Sequence, residues 1–355
     1  MSDISISLRL RPARATAGGR ECARRAIGVT AAVRIALLRQ YGASSQAYSA
    51  TFQAGLEHFG DERGFLAFKR VGRTALVLSD PLAPPENIPD LISRFLKEHP
   101  DAGFWHLSPA VAKILAERGF YINAMGPEIW IELPTYTFSG DKKKQLREAF
   151  NRMIKRSFVT RESTLAEVGV DRVKAVSDAW PETRTIRSGE VGFLNRPLVL
   201  AEELDVRRFF TFDRDGNLVA FSFFDPIYEA GKLVGYGSQH NRHLPEADHM
   251  VNFAIKRVAI ETFQREGLKV LHLGISPFAD VLQDNEFKSS KSWMTSHYFN
   301  FAYKSWLFNR YVYPNKGIAA HRRLFRGMQR QTYYAFNRRP SLPRVLKLLR
   351  ACNIV

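Results

Sequence analysis

Cysteine is nearly absent from this 355-residue chain: Cys22 and Cys352 stand near opposite ends. With no metal-ligand spacing between them, a disulfide framework and a cysteine-held zinc site are both excluded, no metal is expected, and a reducing, cytoplasmic setting is the default. Long apolar runs are missing too. None reaches the roughly 18 residues that span a bilayer, and the nearest, residues 26–38, carries Arg34 at its middle. The chain is therefore expected not to cross a membrane. No G-x-G-x-x-G opens a helix after a strand and no G-x-x-x-x-G-K-[ST] occurs, which leaves dinucleotide and P-loop chemistry without local support and no cofactor expected. The last absence is of one charge sign. Glu286 is the final acidic residue, and residues 287–355 hold fourteen Lys or Arg with no Asp or Glu.

What is present is an ordinary globular composition, 45% apolar and 25% charged, with 52 basic against 35 acidic residues and a net charge of +17. That excess implies attraction for polyanions. The acid-free tail is interleaved with aromatics, among them Trp293, Phe301, Trp306, Tyr311, Tyr333 and Phe336. Such a mixture suits stacking on RNA bases or lying at a lipid headgroup boundary, with core packing as the alternative for any single ring. The first forty residues are Arg-rich, with Asp3 and Glu21 as their only acids; lacking a cleavage signal, they read as a basic helix rather than a targeting peptide.

Periodicity predicts a hairpin of Gly64–Lys69 and Thr74–Ser79, a helix over Ile88–Glu98, a strand Gly103–Leu107, a helix Pro109–Arg118 and a strand Ile129–Leu133. A basic helix Lys142–Lys155 follows. The pattern then recurs: helix Val170–Trp180, strands Arg208–Asp213, Leu218–Phe224 and Lys232–Gly237, a long helix Ala247–Glu266 and a strand Val270–Leu273. This is an α/β protein of two similar units, divided as an N-terminal basic extension (1–44), a first lobe (45–140), a basic connecting helix (141–160) and a second lobe with the basic aromatic tail (161–355). The segment Gly235-Tyr236-Gly237 runs into the polar stretch Ser238–Arg242, read as a loop, instead of opening a helix that would hold a pyrophosphate.

Five motifs in order carry a resemblance. The run Phe138 to Arg152, with Gly140, Lys142, Lys143, Lys144, Leu146, Arg147 and Asn151, resembles a connector F-x-L-x-G-K-K-x-x-x-L-R-x-x-x-N-R; Ser79-Asp80-Pro81 resembles a G-D-P turn; Gly126-Pro127-Glu128 resembles the start of G-x-E-x-x-[IV]. Leu273-Gly274-Ile275-Ser276-Pro277 resembles L-G-[ML]-[AS]-P, and Gly317, Arg322 and Phe325 fall where G-L-R-x-[FY]-K-x-K-F would lie. The chain thus resembles the phosphatidylglycerol lysyltransferase C-terminal-domain family. The resemblance implies two tandem acetyltransferase-like (GNAT-like) lobes with mixed central sheets. It also implies aminoacyl transfer from aminoacyl-tRNA, as co-substrate, to a lipid acceptor such as phosphatidylglycerol or a related hydroxyl or amine, peripherally at the inner membrane face. Two positions depart: Gln239 stands where the family motif D-L-M-R has its acid, ahead of the matching Arg242, and Leu324 where it has a Lys.

On this reading Arg242 and Arg322 are candidates for phosphate or oxyanion binding and His240 for the base. Glu190, Asp225, Gln239, Tyr236 and Ser276 are candidates for substrate binding, and Lys142, Lys143, Lys144, Arg147, Arg152, Arg323 and Arg326 for tRNA phosphates. An acyl-CoA-dependent N- or O-acyltransferase of the same fold and a non-catalytic RNA- or membrane-binding protein are the competing expectations.

Overall fold

A computed structural model of the chain describes residues 29–180, 192–248, 250–311, 313–337, 347 and 351. Glu190 and both cysteines lie outside the described residues, as does most of the basic N-terminal extension. The first half runs α1 (Ala31–Tyr41), α2 (Ala47–Phe52), β1 (Glu57–Asp61), β2 (Gly64–Val71), β3 (Thr74–Leu82), α3 (Ile88–Glu98), β4 (Ala102–Leu107), α4 (Pro109–Ala116) and β5 (Tyr121–Glu132). After α5 (Lys144–Lys155) come β6 (Val159–Glu162), α6 (Leu165–Val168), α7 (Val170–Ala179), β7 (Arg207–Phe212), β8 (Leu218–Glu229), β9 (Lys232–His243), α8 (Val251–Arg265) and β10 (Val270–Ile275). The tail forms α9 (Trp293–Lys304), α10 (Trp306–Tyr311), α11 (Asn315–Arg323) and β11 (Met328–Phe336).

Local chemistry sets many of these boundaries. Ser108 caps α4 by accepting the Val111 N–H at 3.4 Å, Pro109 takes the first helical position, and Gly119 with φ 79° ends the segment. Thr164 and Glu167 form a reciprocal capping box that starts α6. In the β7–β8 turn the Asp213 carboxylate accepts the N–H groups of Asp215 and Asn217.

Among the described residues the strands form one sheet, ordered β1-β2-β3-β4-β11-β5-β10-β9-β8-β7-β6. Its halves echo each other. The antiparallel hairpin β2–β3 leads through α3 to β4, parallel to β3, and the hairpin β8–β9 leads through α8 to β10, parallel to β9. The final strand of each half crosses to the other: β5 pairs with β10, while β11, from the far end of the chain, inserts between β4 and β5. The basic aromatic tail is therefore in part a core strand of the first half. Tyr334 stacks on Trp105 at 4.9 Å, and Tyr333, Tyr334 and Phe336 are all buried. Each such ring contributes about 2 kcal/mol by leaving water, which ties the two halves together.

Helices cover both faces. On one, α1, α2, α6 and α7 pack with Phe210, Phe221 and Phe223. On the other, α5 and α8 pack with Phe209, Phe224, Tyr236 and Ile131.

Two readings change. The stretch Ser238–Arg242 is not a loop but the second half of β9, hydrogen-bonded along β8; Asn241 accepts from Ser222, Ser238 and Lys256 and Arg242 donates to Ser177, and polarity alone concealed the strand. The strand Ile129–Leu133 is the end of a much longer β5, whose earlier residues are shielded by β11.

Candidate functional site

The parallel pairing of β9 with β10 lasts only from Gly235 and Val270 to Gly237 and His272. Beyond it β9 continues beside β8 to His243, while β10 bulges between His272 and Ile275. The sheet opens between them. The same divergence follows β3 and β4, where Ser79 and His106 both take left-handed conformations (φ 70° and 64°), but there the α1–α2 loop fills the gap: Ser44 and Ser79 hydroxyls lie 2.8 Å apart. The second opening is lined by polar side chains brought from four elements.

From α8 comes Lys256, 3% exposed, whose ammonium nitrogen donates to Asn241 Oδ1 at 2.6 Å. The same oxygen accepts from the Ser222 and Ser238 hydroxyls at 2.8 and 3.0 Å. Burial, with the charge of Arg322 added, pulls the Lys256 pKa down to about 7. An amine so placed exchanges a proton near neutral pH.

From α11 comes Arg322, half-buried against the β10 bulge, its Nε donating to the Leu273 carbonyl at 2.8 Å. Among the described residues no protein acceptor bonds its terminal nitrogens. Gly274 makes room for it: φ is 99°, and a Cβ there would lie 2.4 Å from Arg322 Nη2. Burial lowers the Arg322 pKa to about 10, against the opposing pull of Tyr313 and Glu128, so it stays cationic at neutral pH. Ser276, fully buried just past the bulge, has a hydroxyl with no hydrogen-bond partner.

Behind the bulge lies a second network. Glu128 on β5 accepts from the Ser45 hydroxyl and, at 3.0 Å, from Trp130 Nε1, with His106 Nε2 at 2.5 Å and His272 Nε2 at 3.2 Å from Oε1. Burial alone would raise the Glu128 pKa, but His272 and His106 hold it well below the usual carboxylate range. Gly126 permits the close approach of β5 to the residues after β10; a Cβ there would sit 2.1 Å from the Ser276 carbonyl oxygen.

The expected trio does not converge. Successive β9 side chains alternate faces, so Asn241 meets α8 while His240 and Arg242 point toward α7. Arg242 donates to the Ser177 hydroxyl and stacks on Trp180 at 4.9 Å, and His240 packs edge-on to Phe223. Burial and the charges of Arg196 and Arg242 push the His240 pKa well below its ordinary value, leaving a weak base on the face opposite Asn241. Asp225 is held by Arg196 at 2.7 Å in a buried pair that Arg196 shares with Glu203. Tyr236 stacks on Phe263 at 4.7 Å within the core. Gln239 is the extra residue of a β9 bulge, half-buried.

Of the expected phosphate-binding residues, Lys142, Lys144, Arg152 and Arg326 are exposed. Lys143 and Arg147 instead cap the loop before α5: Lys143 lies over the Tyr136 ring, and Arg147 donates to the carbonyls of Phe138 and Gly140. Arg323 pairs with Asp280 at 2.5 Å. Lys256, Asn241, His272 and Glu128 had not been singled out as site residues. For Lys256 a signal existed, because helical spacing places it on the stripe of Ala259 and Phe263, where a lysine is out of place. The histidines come from strands too far apart in sequence for any local pattern.

A profile described as "Phosphatidylglycerol lysyltransferase, C-terminal" matches residues 35–336. The phosphatidylglycerol lysyltransferase of Bacillus subtilis strain 168 is 23% identical over 293 residues, 79% of this chain and 32% of that relative, so the chain spans about a third of that relative's length. Among solved structures, L-PGS from Bacillus licheniformis superposes with a TM-score of 0.74 at 19% identity, covering 91% of this chain and 96% of that one. The C-terminal domain (DUF2156) of a putative lysylphosphatidylglycerol synthetase from Agrobacterium fabrum gives 0.70 at 17% identity, covering 90% and 95%. The fold is that of these two domains. By sequence and architecture alike, this chain belongs to the phosphatidylglycerol lysyltransferase C-terminal family.

Proposed function

We propose that the chain transfers an aminoacyl group from aminoacyl-tRNA to a hydroxyl of a lipid acceptor such as phosphatidylglycerol, with the opening between β9 and β10 as the reaction site. The observation that carries this reading is the pairing of a titratable amine, Lys256, with a fixed guanidinium, Arg322, at a break in the sheet of a protein of this family. The acceptor hydroxyl attacks the ester carbonyl as neutral Lys256 takes its proton. The tetrahedral oxyanion is stabilised by the terminal nitrogens of Arg322. Collapse expels the tRNA ribose oxygen, which receives the proton back from Lys256. A new ester forms as the old one breaks, and no cofactor enters the balance. The exposed cations of and before α5, Lys142, Lys144 and Arg152, supply charge for the tRNA backbone.

An acyl-CoA donor fits less well. The N-terminus of α8, where a pyrophosphate would sit, carries Asp248, whose Oδ1 accepts the Met250 N–H at 3.0 Å. That end is already capped by a carboxylate, which Arg156 and Arg152 pair with at 2.9 and 3.8 Å. The membrane contact is peripheral on this proposal; among the described residues no helix is long and apolar enough to cross a bilayer.

The test is incubation of the protein with radiolabelled aminoacyl-tRNAs and a total lipid extract. Label entering the organic phase, and abolished by prior RNase treatment, supports the proposal. Intact aminoacyl-tRNA with unlabelled lipid, under conditions where acetyl-CoA is consumed, overturns it.

A further inference from the structure

Helices normally bury their apolar stripe, and α9 buries only part of its own. Its inward face carries Thr295, Ser296, Phe299 and Ala302, whereas Trp293, Met294 and Phe301 point outward. Next to it α10 buries none of its residues and exposes Trp306, Leu307 and Tyr311. These six side chains are between 59% and 72% exposed, and all fall within nineteen consecutive positions, 293–311. Solvent exposure of two tryptophans, a phenylalanine and a leucine on adjoining helices marks a surface that meets something apolar.

Charge narrows the identity of that partner. Lys288, Lys304, Arg310 and Lys316 are exposed around the patch, and Arg310 lies 5.4 and 5.6 Å from the rings of Trp306 and Tyr311. No acidic residue follows Glu286. A second copy of this surface would bring like charges together. A bilayer containing anionic phospholipid instead accepts the rings at the level of its headgroups and the cations against its negative surface.

We propose that the α9–α10 face is the membrane-docking surface of the protein, seating on anionic phospholipid. The assignment deepens the proposed function by naming where the lipid is met, and it explains how the acceptor arrives. Four residues after Tyr311 the chain enters α11, a helix about 13 Å long, whose last turn carries Arg322 into the opening. A headgroup held beneath α10 thus lies one short helix from the reaction site.

Docking can be read without turnover, so its failure is distinct from failure of the transferase assignment. The full chain is mixed with phosphatidylcholine vesicles, with or without 30 mol% phosphatidylglycerol, and sedimented. Binding is expected to be at least tenfold tighter with phosphatidylglycerol. The triple substitution Trp293→Ser, Phe301→Ser, Trp306→Ser should lower it a further tenfold or more with an unchanged circular dichroism spectrum. Brominated acyl chains should quench the fluorescence of the unsubstituted protein, because Trp293 and Trp306 are the exposed tryptophans, while Trp105 and Trp130 are buried and Trp180 is half-buried against Arg242. That quenching should vanish in Trp293→Phe, Trp306→Phe, which retains binding. Equal vesicle binding by the serine variant, absence of quenching, or loss of tRNA binding in place of vesicle binding would each overturn the assignment, the last by making the face an RNA platform.

Discussion

Replacing Lys256 by Met should make the protein more stable and inactive at the same time. The side chain is 3% exposed, and its pKa falls from 10.5 to about 7. A shift of that size corresponds to about 5 kcal/mol of disfavoured ammonium in the folded state, at 1.36 kcal/mol per unit. Methionine has a similar volume and removes that cost. Asn241 is not left bare, since Ser222 and Ser238 still donate to its oxygen. The sign of the pH dependence follows from linkage. Below pH 7 Lys256 is protonated in both folded and unfolded states, so its cost is fully present. As pH rises from 7 toward 10.5 the folded state has lost the proton and the unfolded state has not yet done so, and the cost is progressively relieved. Urea unfolding of both proteins at pH 6, 7.5 and 9 should therefore show Lys256→Met more stable by several kcal/mol at pH 6, with the advantage shrinking by about 2–3 kcal/mol by pH 9. Transfer activity should be lost throughout, while that of the unsubstituted protein rises with pH and levels off above about 7. A destabilised variant, or a stability difference that does not change with pH, would refute the assignment of Lys256 as a buried, neutralisable amine.

Other consequences follow from the same geometry. Arg322→Lys, which cannot both bond the Leu273 carbonyl and present a fork of donors, should lower kcat about 10²–10³-fold with little change in stability; near-normal kcat would remove Arg322 from the oxyanion role. Gly274→Ala forces a side chain into a φ of 99° and against the Arg322 guanidinium, so thermal unfolding should show a loss of about 1–3 kcal/mol together with reduced kcat. Arg196→Met strips Asp225 and Glu203 of their buried partner and should cost about 3–5 kcal/mol at pH 8. The loss should be smaller at pH 5, where the bared carboxyls escape by taking protons; equal losses at both pH values would show that the pair is not the source. In donor competition, the cationic lining of the opening, with Glu128 and Asp225 already held by basic neighbours, should favour aminoacyl-tRNAs with uncharged side chains over lysyl-tRNA by about tenfold. Preference for lysyl-tRNA would mean that Glu128 is drawn from His106 and His272 to the substrate ammonium, and would refute this reading.

Much of the architecture was legible from local rules. The turn at Gly72 between two β-rich runs, the Ser108-Pro109 start of α4, and the apolar spacing of Ile88–Glu98 each depend on neighbours a few residues apart, and each element lies where periodicity places it. The five ordered motifs likewise pointed to the family. Sequence could not show that the tail divides, with Trp293, Phe301 and Trp306 turned to solvent and Tyr333, Tyr334 and Phe336 buried in the first half. That sorting depends on β11 finding its slot between β4 and β5, a pairing across two hundred residues of chain. The site was hidden for the same reason. Strand alternation sends His240 and Arg242 to one face and Asn241 to the other, but which face opens is decided by where β9 and β10 part and by which helix lies above them. Lys256, Arg322, Glu128 and His272 become a site only when α8, α11, β5 and β10 pack together. Side-chain types and local geometry are properties of the sequence; their convergence, and the pKa values it produces, belong to the tertiary structure.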